Sequence, residues 1–86
     1  MPRLSKFYGI AIYIYYRDHA PPHFHAIHGD DEAIFEIATG LLLEGDLSRR
    51  AQALVAEWFA THQAELQFDW DLAAASQPLL PISPLD

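Results

Sequence analysis

The chain contains no cysteine among its 86 residues, so disulfides, thiolate zinc sites and a cysteine nucleophile are all excluded. Cations are scarce as well. Five Lys and Arg stand against twelve Asp and Glu, a formal charge of −7, and such a surface repels phosphate backbones unless the few cations gather on one face. A general nucleic-acid binder is therefore disfavoured, while a basic protein partner or a short, local RNA contact stays open. No apolar run approaches the roughly 18 residues that a membrane span needs. No basic segment followed by an apolar stretch and a small-residue cleavage site opens the chain, so the expectation is a cytoplasmic protein without a membrane. No internal repeat occurs, and a homo-oligomer is left open.

What is present suffices for one packed core. An apolar fraction of 51% with 13% aromatic residues supports a single domain over residues 1–86. Tyr8 to Arg17 alternates, with Ile10, Ile12 and Ile14 on one parity and Ala11, Tyr13, Tyr15 and Arg17 on the other, which predicts a half-buried strand. Asp18 to Pro22 carries two prolines and reads as a turn. Phe24 to His28 predicts a second strand, Gly29-Asp30-Asp31 a turn, Glu32 to Ala38 a third strand, and Leu41 to Glu44 a short fourth ending at Gly45. Beyond Asp46 and Ser48, either of which can cap, Ala51, Leu54, Val55, Trp58, Phe59, His62 and Leu66 recur at helical spacing. Two outcomes fit the later residues: a short second helix capped by Asp69, or one long, kinked helix. The tail from Pro78 sets Leu79, Leu80, Ile82 and Leu85 among three prolines and predicts an extended segment laid over apolar surface. The fold class is α+β, a three- to four-stranded antiparallel meander packed on a C-terminal helix.

Four of the five histidines lie between His19 and His28. Histidine changes charge near neutral pH and is the commonest metal ligand, so a cluster beside Asp18 and a Pro-Pro pair needs a physical reason. If Ile10, Ile12, Ile14, Phe24, Ala26, Ala33, Phe35 and Ile37 face the helix, alternation places Tyr13, Tyr15, Arg17, His23, His25, Glu32 and Glu36 together on the other face. Three uses compete. His23 and His25 act as acid and base on RNA while Arg17, Tyr13 and Tyr15 position a phosphate, with no cofactor. Alternatively, His23 and His25 hold a divalent metal such as zinc, with Asp18, His19 or Glu36 completing the shell. In the third, the histidines hold the turn together by hydrogen bonds, and the polar residues are an ordinary wet sheet face. His62, on the helix stripe, reads as a hydrogen-bonded boundary residue. Arg49-Arg50 in the first helical turn, where the macrodipole disfavours cations, slightly favours an anionic contact.

The Phe7-Tyr8-Gly9-Ile10 run, the block Tyr15-Tyr16-Arg17-Asp18-His19-Ala20-Pro21-Pro22-His23-Phe24-His25 and the helix from Ala51 to Trp58 resemble the bacterial family called domain of unknown function 4160. The resemblance covers nearly the whole chain. It implies a small prokaryotic protein, often encoded beside a member of another small family, domain of unknown function 2442, in an arrangement like a toxin–antitoxin pair. Relatives open the helix with Pro where this chain has Ser48, and carry a more basic helix and tail where it has Gln63, Ala74, Leu80 and Pro81. The functional expectation is a toxin-like member of a two-protein module, held by its partner and acting on RNA through the histidine face. The alternatives are a non-enzymatic interaction module and a metal-binding domain.

Overall fold

The computed structural model describes residues 3–86. Five strands, β1 (Arg3–Phe7), β2 (Ile10–Tyr13), β3 (His23–His28), β4 (Asp31–Glu36) and β5 (Leu42–Gly45), precede one helix, α1 (Arg49–Ala74). They form one antiparallel meander in the order β1-β2-β3-β4-β5. The predicted α+β class and helix-backed meander hold, with one strand more than expected.

The extra strand is β1, and it exists because Tyr8 and Gly9 turn the chain. Both have positive φ, 51° and 79°, the pairing that a two-residue hairpin turn of type I′ requires. The strand predicted from Tyr8 therefore starts at Ile10, pairs with β1 from Phe7 opposite Ile10, and ends at Tyr13 rather than Arg17. Arg17 itself has φ 51° and belongs to the long loop joining β2 to β3, in which the Ala20–Pro21 peptide is cis.

The parity assignment is the one observed. Ile10, Ile12, Ile14, Phe24, Ala26, Ala33, Phe35 and Ile37 are all buried, beneath Ala51, Val55, Trp58, Leu66 and Ala73 of α1. Trp58 sits centrally, its ring tilted against Phe7 and edge-on to Phe24. Burial of this set removes most of the sheet's inner face from water, the main term that stabilises the domain.

The helix is single and continuous over 26 residues, so no second helix begins at Asp69. Ser48 caps it, its Oγ accepting the Ala51 N–H at 3.1 Å. Its end is a Schellman closure: Gln77 N–H donates to the Leu72 carbonyl, Ser76 N–H to the Ala73 carbonyl, and Ser76 takes the left-handed conformation at φ 56°. Gln63 donates to the carbonyls of Ile37 and Ala38, tying mid-helix to the end of β4.

The tail forms a strap. Ile82 is buried and donates its N–H to the Leu4 carbonyl, Trp58 Nε1 donates to the Ser83 carbonyl, and Leu80 N–H donates to Asp69 Oδ1. Asp69 is thus an anchor for the strap, buried near the C-terminal end of α1. Among the described residues no helix is long and apolar enough to cross a membrane.

Candidate metal centre

His23 and His25 alternate along β3 with the core residues Phe24 and Ala26, which sets both imidazoles on the outer side of the sheet. Residues 14–22 then loop back so that Asp18 lies against them. The loop is fixed at its base by Arg17 N–H, which donates to the Ala73 carbonyl near the end of α1, and at its far end by Ile37 N–H, which donates to the Pro21–Pro22 turn at the Pro22 carbonyl.

One ligand atom from each of Asp18, His23 and His25 lies within 4.8 Å of the other two. Asp18 Oδ2 is 2.9 Å from His23 Nε2 and 3.5 Å from His25 Nε2. The opposite ring nitrogens are engaged by acceptors: His23 Nδ1–H donates to the Pro21 carbonyl at 2.6 Å, and His25 Nδ1–H to Glu32 Oε2 at 2.9 Å. With the proton committed at Nδ1, a neutral ring presents a bare lone pair at Nε2. Two imidazole nitrogens and a carboxylate oxygen therefore converge.

The surroundings are dry. The side chains of His23, His25 and Asp18 are 4%, 12% and 19% exposed, and His25 Nε2 is fully buried with no hydrogen-bond partner. Trp70, from the last turns of α1, lies 5.0 Å from the His23 ring, and Tyr15 stands edge-on to His25 at 4.5 Å. Burial pushes the Asp18 carboxyl up, but the His19 backbone N–H and then the His23 ring outweigh it, so the net shift is downward. Burial, followed by the negative charge of Glu32, pushes the Tyr15 phenol up.

The other predicted residues are placed unequally. His19 is almost fully exposed, with Nδ1 2.9 Å from Asp18 Oδ1 and its ring 5.5 Å from His23, at the mouth of the cluster. Tyr13 stacks on Tyr15 and stands opposite His25 in the β2–β3 register. Glu36 stands opposite His23 in register, yet its carboxylate accepts from Thr39 Oγ1 and takes no part in the triad. Arg17 is exposed and joins none of the ion pairs around Asp18. Sequence reasoning missed the roles of Glu32 and Trp70. Glu32 shares the outer face with His25 on the diagonal of the β3–β4 ladder, a relation readable once the register His25 opposite Ile34 is known. Beside His25 an open cleft of about 340 Å³ is lined by Glu32, Ile34, Glu44 and Gly45.

Fold and site together define a small α+β protein that holds one carboxylate and two imidazoles at one end of its outer sheet face. The chain belongs to the family described as "Domain of unknown function (DUF4160)", whose model matches residues 9–71 and so takes in Asp18, His23, His25, Glu32 and Trp70. No curated protein and no solved structure matches it.

Proposed function

We propose that this protein is a metal-binding domain in which Asp18, His23 and His25 hold a divalent transition metal, zinc being the ion whose ligand chemistry they fit best. One observation carries this reading: each histidine commits its Nδ1–H to a fixed acceptor while both Nε2 atoms turn to the same carboxylate oxygen. Metal-ligating histidines are oriented in this way, by a carbonyl or carboxylate on the far nitrogen. Ligand atoms around 2.0–2.2 Å from a tetrahedral zinc lie roughly 3.3–3.6 Å apart. The 3.5 Å edge of the triad already has that length, and the 2.9 Å edge needs to open by a few tenths of an ångström. Three protein ligands leave a fourth position, and His19 or water is on hand at the mouth. A metal held there would supply Lewis-acid chemistry, polarising a substrate oxygen or lowering the pKa of a water, and Tyr15 and Glu32, beside His25, would position what binds.

Metal-free acid–base chemistry on RNA with His23, His25, Arg17, Tyr13 and Tyr15 is less well supported. A general base must reach its substrate proton directly or through one water, whereas His23 Nε2 faces Asp18 and His25 Nε2 is buried. The cellular reading, a toxin-like member of a two-protein module with a partner of the domain of unknown function 2442 type, rests on the family resemblance. Growth of a bacterial host on inducing the chain alone, then with its chromosomal neighbour, tests it.

The metal reading is tested by titrating tag-free protein with zinc, and with cobalt, whose visible absorption reports tetrahedral coordination. One ion per chain is expected, with affinity lowered at least tenfold in Asp18→Asn and His25→Gln, both followed by circular dichroism for retained fold. Folded wild-type protein that takes up neither ion stoichiometrically refutes it.

A further inference from the structure

The second cleft lies elsewhere, between α1 and the strap. It has a volume of about 270 Å³ and is lined by Ala64, Glu65, Phe68 and Asp69 of α1 and by Leu80, Pro81 and Ile82 of the strap. That volume is about nine waters at roughly 30 Å³ each, the small end of ligand sites. Its walls are mostly apolar, and Phe68 and Leu80 are both more than half exposed at the rim.

Asp69 is the exception. The residue is 1% exposed, its Oδ1 accepts the Leu80 N–H at 2.9 Å, and its Oδ2 is buried with no hydrogen-bond partner. A buried carboxylate oxygen without a donor is costly, and native structures seldom leave one uncompensated. Among the described residues no cationic side chain lines the cleft, while a second carboxylate, Glu65, does; Glu65 Oε1 accepts from His62 Nδ1 at 2.6 Å. One missing donor, two carboxylates and apolar walls specify the complement: a positive group with N–H donors on a short apolar body.

We propose that the cleft between α1 and the strap binds a small organic ammonium ion, its head at the Asp69 and Glu65 carboxylates and its apolar body against Phe68, Leu80 and Ile82. The ammonium supplies the donor that Asp69 Oδ2 lacks, and the apolar body covers Phe68 and Leu80. A free amine suits the site better than a lysine on another protein, because a cleft of about 270 Å³ between α1 and the strap has the size of a compact ligand rather than of a protein interface. The inference is independent of the metal reading, since none of its residues belongs to the Asp18 cluster.

The test is titration of the full chain with 2-phenylethylamine, followed by backbone amide shifts in NMR and by calorimetry, with 2-phenylethanol as the neutral match and a doubly capped lysine as the protein-borne alternative. Saturable shifts at Phe68, Asp69 and Leu80 are expected for the amine, with the alcohol at least tenfold weaker. Asp69→Asn keeps an acceptor for Leu80 N–H but not the charge, and should weaken the amine tenfold or more. Should that variant not fold, Phe68→Ala and Glu65→Gln, at exposed positions, must each weaken it severalfold. The proposal is overturned if the alcohol matches the amine, if charge removal at the cleft leaves binding unchanged, or if only the capped lysine binds.

Discussion

Replacing Asp18 by alanine removes the carboxylate on which both site histidines converge. Without a metal, the 2.9 Å contact between Asp18 Oδ2 and His23 Nε2 is the bond that is lost, while the His23 Nδ1–H bond to the Pro21 carbonyl at 2.6 Å remains. A hydrogen bond to a charged group contributes about 1.5–3 kcal/mol. His23 is nearly buried but Asp18 is 19% exposed, so water relieves part of the loss and the lower half of that span applies, about 1.5–2 kcal/mol. The exposed His19 contact adds nothing measurable. For a domain of this size the melting temperature should fall by roughly 6–16 °C. Thermal and urea denaturation followed by circular dichroism, in chelator near pH 7, reads the difference. Zinc at about 100 times its dissociation constant should add about 2.7 kcal/mol to the wild type alone and so widen the gap. The pH dependence has a definite sign. The folded carboxyl lies below its ordinary 3.8, so its contribution is present above that value and is lost as pH falls through the folded pKa. The gap between the two proteins should be full at about pH 5 and close only below the ordinary carboxylate range. A variant within about 0.5 kcal/mol of wild type at neutral pH, with or without zinc, would refute the reasoning.

Two other perturbations test the frame that holds the sites. Burial, and then Glu65, raise the Asp69 carboxyl above its ordinary 3.8, although the Leu80 N–H pulls the other way; stability from this group is therefore present below that value and lost as pH rises through the folded pKa. Asp69→Asn should accordingly be more stable than wild type near pH 7, with the difference vanishing in acid; equal melting temperatures at both pH values contradict that assignment. At Gly45, φ is 79° and a Cβ would collide with the backbone carbonyl oxygen of Glu32, which accepts the Asp46 N–H at 3.1 Å. Gly45→Ala should destabilise by more than about 1 kcal/mol and speed hydrogen exchange at Asp46, and unchanged exchange there would show that the β4–β5 edge tolerates the side chain.

Much of the fold is written in period two. The isoleucines of β2 and the Phe-Ala and Ala-Phe-Ile alternations of β3 and β4 assign the buried face correctly because one wrong parity would bury Tyr13, Glu32 and Glu36. Strand β1 is harder to read: Ser5 is buried, Lys6 is not, and the register shifts between Arg3 and Ser5, so alternation is broken within five residues. The single helix is likewise hidden, since a buried Asp69 looks like a cap until the strap is seen to supply its donor. The site was half legible. Its histidines follow from parity and Asp18 from proximity in sequence. The choice of Glu32 over Glu36 depends on where each carboxylate finds its donor, and Glu36 has Thr39 three residues away. Trp70 lies at helical spacing from Leu66 and Ala73, which marks it as core, and the unbroken course of α1 carries it to His23.

That placement of Trp70 equips the protein with an optical reporter. The chain has two tryptophans; Trp58 is held in the core with its indole N–H on the Ser83 carbonyl and its ring 5.3 Å from His62, far from the Asp18 cluster in sequence. Trp70 faces the His23 ring at 5.0 Å, close enough for a change of charge on the imidazole to alter its quantum yield. Any ion or proton that enters or leaves the cluster should therefore register in the unlabelled protein's own fluorescence, and stopped-flow mixing would time its arrival.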